Sequence, residues 1–142
     1  MNKNSLLLLF IVLLLLGSCS KKDNPVLSVE EVVAQKLELT TWKLGNVQVD
    51  GVDRSSLFNG FTIKFNSTNY TTTGTTTVWA RSGTWQFNAN SNALKFTRND
   101  SIVVTIESIT DSSLVLSLMW NESTFGGRIN SVAGKHIFTL TK

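Results

Sequence analysis

Phe61-Thr62-Ile63-Lys64-Phe65 alternates strictly, with three apolar side chains on one face and two polar ones on the other. A period of two marks a half-buried β-strand. The pattern continues in both directions. Upstream, Trp42-Lys43-Leu44 and Val47-Gln48-Val49 alternate, and the phase slips at Gly45-Asn46, which predicts a β-bulge. Asp50-Gly51 opens a loop and Asn59-Gly60 closes it. Downstream, residues 66–69 turn the chain into a Thr-rich hairpin, with arms at 70–73 and 76–80 around Gly74. Ser82-Gly83 leads into Thr84-Trp85-Gln86-Phe87, where Trp85 and Phe87 share a face. Further strands are predicted over 93–97, 102–106, 113–120 and 135–141. Turns at 88–92, 98–101 and 111–112 and a longer loop at 121–134 separate them.

Only one stretch before these strands has a helical period. Ser28-Val29-Glu30-Glu31 has the form of a capping box, in which Ser28 and Glu31 satisfy each other's backbone amides. Val29, Val32, Val33 and Leu37 then make one apolar stripe, predicting a helix over 29–39 that needs a surface to pack on. One short helix followed by closely spaced strands excludes a parallel βαβ sheet. The expected fold is all-β, a single antiparallel up-and-down barrel of about eight strands, since closure removes the sheet edges.

Composition narrows the function. The 142 residues suit one domain. With 42% hydrophobic and 16% charged residues, the chain is neither a disordered acidic tail nor a supercharged nucleic-acid binder. A net charge of +3 gives little field for steering towards phosphate, so no nucleic-acid partner is expected. One His and one Cys rule out a disulfide framework, a His/Cys metal cluster and a Cys–His dyad.

The amino terminus carries its own signal. Leu6 to Leu16 is an unbroken apolar run of eleven residues behind Lys3, too short for the ~20 residues of a spanning helix and right for a secretory signal peptide. Leu16-Gly17-Ser18-Cys19 resembles the lipobox of bacterial lipoproteins. The resemblance implies cleavage before Cys19, lipidation of its thiol and acylation of the new amino terminus. It divides the chain into a signal peptide (1–18), a lipidated tether (19–27) and a domain (28–142). Two or more acyl chains hold a protein on a membrane stably, at ~0.8 kcal/mol per buried CH₂. The expected location is the outer membrane, on its periplasmic face or at the cell surface. Ser20-Lys21-Lys22-Asp23-Asn24-Pro25 is polar and ends in Pro, as a solvated tether would. It also resembles the surface-export signal of lipoproteins in Bacteroidetes-type bacteria.

The order of motifs in the body also carries a resemblance. Leu39-Thr40-Thr41-Trp42-Lys43-Leu44, Phe61 to Phe65, Asn69-Tyr70-Thr71, Ser82-Gly83-Thr84-Trp85-Gln86-Phe87 and Ile137-Phe138-Thr139-Leu140 together resemble the lipocalin-like domain of small lipoproteins from Bacteroidetes-type bacteria. The likeness covers roughly residues 37–142. Classical lipocalins carry Gly two residues before the first-strand Trp, whereas this chain has Thr40. The resemblance implies a barrel with an apolar cavity and no catalytic residues.

No nucleophile elbow, P-loop, dinucleotide fingerprint or zinc spacing is present. His136 has no visible catalytic partner. Asp50 and Asp53 share a loop that a cation could enter, but Asp-Gly pairs ordinarily make turns, and no metal or cofactor is expected. The aromatic and aliphatic faces carry the interest. Trp42, Phe61, Ile63, Phe65, Trp85, Phe87, Phe96 and Leu116 are the candidate ligand-binding residues, since such side chains either fill a small barrel or line a cavity within it. Trp79 and Trp120 are expected near a rim, and Arg81 and Arg128 in loops where they could meet an acid headgroup. The expected function is a membrane-anchored, non-enzymatic protein that binds a small hydrophobic ligand at the cell envelope. The alternative is a filled barrel that meets a protein partner, as an inhibitor or accessory subunit.

Overall fold

The computed structural model describes residues 26–74, 78–89, 94–122 and 133–142. The signal segment, Cys19 and Arg128 lie outside them. In chain order the described residues form α1 (Val29–Glu38), β1 (Thr41–Val49), β2 (Val52–Asp53), a 3-10 helix (Ser55–Phe58), β3 (Thr62–Phe65) and β4 (Asn69–Thr73). Then follow β5 (Ser82–Phe87), β6 (Lys95–Arg98), β7 (Val103–Ile109), β8 (Ser113–Trp120) and β9 (Gly134–Thr141). Successive strands from β3 to β9 pair antiparallel, and β9 returns to pair with β1. The result is a closed eight-stranded barrel with β2 outside it.

β1 closes the ring because it is long and changes partner. Thr41, Trp42 and Lys43 pair with β3, while Lys43 to Val49 pair with β9. The bulge expected at Gly45-Asn46 is present as a register shift between Leu44 and Asn46. A side chain at Gly45 would press on the Thr139 carbonyl, its Cβ 3.2 Å away. The Asp50-Gly51 loop begins as a tight hairpin. Asp50 and Gly51 both have positive φ, 48° and 81°, which folds β2 back onto Gln48 and Val49.

The capping box is formed. The Ser28 amide donates to Glu31 Oε2 at 2.7 Å, and the Glu31 amide donates to Ser28 Oγ at 3.2 Å. The apolar stripe is used only in its second half. Val33 and Leu37 are buried, whereas Val29 and Val32 stay exposed. The anchor sits at the C-terminal end of the helix, where Trp42 Nε1 donates to the Leu37 carbonyl at 3.0 Å. Lys36 adds a 3.1 Å ion pair with Asp111 in the β7–β8 turn, so α1 lies across the end of the barrel that holds that turn.

The strand expected over 76–80 lies partly outside the described residues. Residues 78–80 do not extend the Thr-rich hairpin, and β4 pairs instead with β5 through Asn69–Thr84, Tyr70–Gly83 and Thr71–Ser82. The Thr72 amide and hydroxyl donate to the carbonyls of Arg81 and Ala80, each at 2.9 Å. The chain is thereby drawn back over β4, and Val78 and Trp79 turn into the interior, where both are almost fully buried. Burying an indole stabilises more than one short edge pairing could, which is why residues 78–80 stand outside the sheet.

Candidate functional site

Because the strands alternate up and down, their connections gather at two ends. The β3–β4, β5–β6 and β7–β8 turns share one end with α1. The β1–β3 connection, with β2 and the 3-10 helix, shares the other end with the β4–β5, β6–β7 and β8–β9 connections. This second end carries the longer connections and is termed the mouth.

Of the candidate residues, Trp42, Phe61, Ile63, Phe65, Trp85, Phe96 and Leu116 are all buried inside the barrel. Phe87 is half-buried, with its ring 5.1 Å from that of Trp85. They belong to one hydrophobic core, within which the ring-to-ring contacts fall into two sets. Phe65, Trp85, Phe87 and Phe96 make a cluster of edge-to-face rings, with Phe65 5.7 Å from Trp85 and 5.8 Å from Phe96. Trp85 Nε1 fixes this cluster by donating to the carbonyls of Asn66 and Asn69 at 3.0 and 3.2 Å.

Phe61 belongs to a second cluster at the mouth, where the structure adds residues that the strand pattern did not identify. Phe58, from the 3-10 helix, lies 5.2 Å from Phe138 and 6.5 Å from Phe61. Trp79, from the β4–β5 connection, lies 5.5 Å from Tyr70, 6.0 Å from Phe138 and 6.4 Å from Phe61. Trp79 is therefore not a rim residue but is 1% exposed inside the mouth. Trp120 is half-buried and packs against the core. Two rings borne by connecting segments thus occupy space that strand side chains leave open.

The mouth is also polar. Arg98 ends β6 with 2% exposure, although 98–101 reads as a solvated turn in sequence. Its guanidinium carbon sits 4.6 Å from the centre of the Trp79 ring and 6.0 Å from that of Tyr70. Nε donates to Asp100 Oδ1 at 3.1 Å, Nη2 donates to Asp100 Oδ2, and Nη1 donates to the Val78 carbonyl at 2.9 Å. Burial tends to raise the Asp100 pKa, but Arg98 and the Ile102 amide outweigh it and hold the carboxyl below its ordinary value. Burial raises the Tyr70 hydroxyl pKa, against the opposing charge of Arg98. Among the described residues, Tyr70 Oη and Trp79 Nε1 are buried without a hydrogen-bond partner. Arg81, the loop arginine considered for an acid headgroup, is exposed.

Beside the mouth, a groove of about 470 Å³ runs along the seam where β1 and β3 part, lined in part by Lys43, Leu44, Phe58, Phe61 and Thr62. The two loop carboxylates have structural partners. Asp50 Oδ1 accepts from the Lys135 amide at 2.9 Å, and Asp53 accepts from the Ser55 amide at 2.8 Å and from Asn46. Among the described residues, no three His, Cys, Asp or Glu side chains come together as metal ligands would.

Residues 39–116 match the family model of the lipocalin-like domain. No curated protein and no solved structure matches the chain.

Proposed function

The chain belongs to the lipocalin-like domain family, and from that premise we propose that it is a lipid-anchored protein of the outer membrane that holds one small hydrophobic ligand in the mouth half of its barrel. The observation that carries this reading is the origin of the rings in the mouth. Phe58 and Trp79 come from connecting segments, so an apolar guest can replace them without breaking the strand ladder. The other aromatic cluster, around Trp85, is built on strands and serves as the floor. No catalytic step is assigned. Cys19 carries the lipid in this reading, and α1, the element nearest the anchor, closes the opposite end of the barrel. The mouth would then open away from the tether.

Titration with an environment-sensitive apolar fluorophore tests the ligand site. Saturable one-to-one binding that a Phe61→Glu substitution removes is the expected result, and no binding across apolar probes of several sizes rejects it. Radiolabelled palmitate tests the anchor. Label should enter the wild-type chain and be lost in Cys19→Ala.

The alternative is a filled barrel that meets a protein. The ring contacts of 5.4 to 5.8 Å among Phe65, Trp85 and Phe96, matched by 5.2 to 5.6 Å between Phe138 and Phe58 or Phe61, favour it, since both sets are packed as a core is. Cross-linking in intact cells that captures one defined protein, with no bound small molecule, would favour it over the ligand reading.

A further inference from the structure

We propose that Arg98 is the seat of a carboxylate headgroup, and that Trp79 is a built-in plug which the apolar ligand of the mouth displaces. This inference rests on the ligand reading above and names the class of ligand, a monocarboxylic amphiphile such as a fatty acid. A guanidinium has five N–H donors and two edges that can each grip a carboxylate. Asp100 takes one edge, through Nε and Nη2. On the other edge, the acceptor is the Val78 carbonyl, at Nη1. Val78 and Trp79 are adjacent, so withdrawal of Trp79 carries its neighbour off Nη1 and opens that edge together with the space the indole fills.

The surroundings agree with an incoming acceptor. Among the described residues, the hydroxyl of Tyr70 and the indole N–H of Trp79 are both buried donors without a partner. A buried polar group left unpaired costs free energy. A ligand carboxylate gives the Tyr70 hydroxyl an acceptor, and the displaced Trp79 N–H gains water. Asp100 is 37% exposed on its side chain, whereas Arg98 is 1% exposed, so solvent weakens the existing partner more than it would weaken an enclosed carboxylate. The apolar body of the ligand would then lie against Phe61 and Phe138, which Trp79 now touches.

Calorimetric titration of the wild-type chain with dodecanoate and with dodecanol at neutral pH tests this without any variant. Dodecanoate should bind about tenfold or more tightly than dodecanol, the size of one charge-assisted contact. In Arg98→Met the preference of dodecanoate over dodecanol should vanish. In Trp79→Ala both compounds should bind more tightly, because the plug no longer competes. A ring with a purely structural role would give the opposite sign. Equal binding of the two compounds by the wild type overturns the headgroup assignment and leaves the ligand reading standing. Binding of neither overturns both. Weaker dodecanoate binding in a folded Trp79→Ala chain overturns the plug.

Discussion

Tyr70 stands directly opposite Gly83 in the β4–β5 ladder, and its ring fills the space that a side chain at Gly83 would need. A Cβ on Gly83 would lie 2.6 Å from the Tyr70 hydroxyl and would also overlap Asn99. The missing side chain thus lets the Tyr70 ring cross the partner strand and reach Trp79.

Gly83→Ala should therefore destabilise the barrel by about 1–3 kcal/mol, the usual cost of forcing extra atoms into a packed interior. Gly51→Ala is the control. A Cβ there meets nothing within 4 Å, so its loss is confined to backbone strain at a positive φ of 81°, about 1 kcal/mol. Urea unfolding midpoints of the two variants check the order. A Gly83→Ala chain as stable as the wild type would contradict the packing described.

Trp42 secures α1 by two separable means. Trp42→Phe keeps most of the ring but loses the bond to the Leu37 carbonyl, and should cost about 1 kcal/mol. Trp42→Ala also empties a fully buried position, and should cost about 3–5 kcal/mol. Amide exchange adds a local readout, since in Trp42→Phe protection should fall first in Val29–Glu38.

The Lys36–Asp111 ion pair makes the opposite case. Asp111 has 80% of its side chain exposed, so solvent screens the pair. Asp111→Ala should change stability by less than about 1 kcal/mol. A larger loss would mean that α1 depends on this contact more than on Leu37.

His136 gives the fold a pH dependence with a definite sign. Burial lowers its pKa from the ordinary 6.5, opposed by the Gly134 carbonyl and the charge of Asp50. The folded state thus binds its proton less readily than the unfolded state. The stabilisation is present in full above pH 6.5 and is lost as pH falls through the depressed folded value. Thermal midpoints should fall as pH drops from 6.5 to the depressed folded value, and His136→Gln should flatten the fall. Its ring stacks on Phe138 at 6.1 Å, so the variant will also be less stable at neutral pH; the slope is the informative quantity.

Local chemistry explains which parts were legible in the sequence. Phe61 to Phe65 and Ser113 to Trp120 alternate over enough residues to define a buried face, and the structure has strands at Thr62–Phe65 and Ser113–Trp120. Ser28 and Glu31 mark the helix start through a spacing that only a capping box rewards. The mouth was harder. Trp79 sits among Thr residues with no alternation, and its inward turn depends on Thr72, seven positions earlier, holding Ala80. Arg98 reads as a surface turn because charge and Asn99-Asp100 suggest solvent, yet pairing with Trp85 fixes it on an inward register position. Phe58 lies in a loop closed by Asn59-Gly60, and the 3-10 helix that aims it inward has no periodic signal in four residues. Strands are written locally, whereas the contents of the mouth are set by contacts between distant segments.

The central claim is that the mouth holds a small molecule, and native mass spectrometry of the chain purified from its own membranes tests it most directly. Released from detergent under gentle activation, the chain should carry a one-to-one adduct of small-molecule mass that a Phe61→Glu variant lacks. A wild-type chain that repeatedly flies bare under the same conditions would contradict the account.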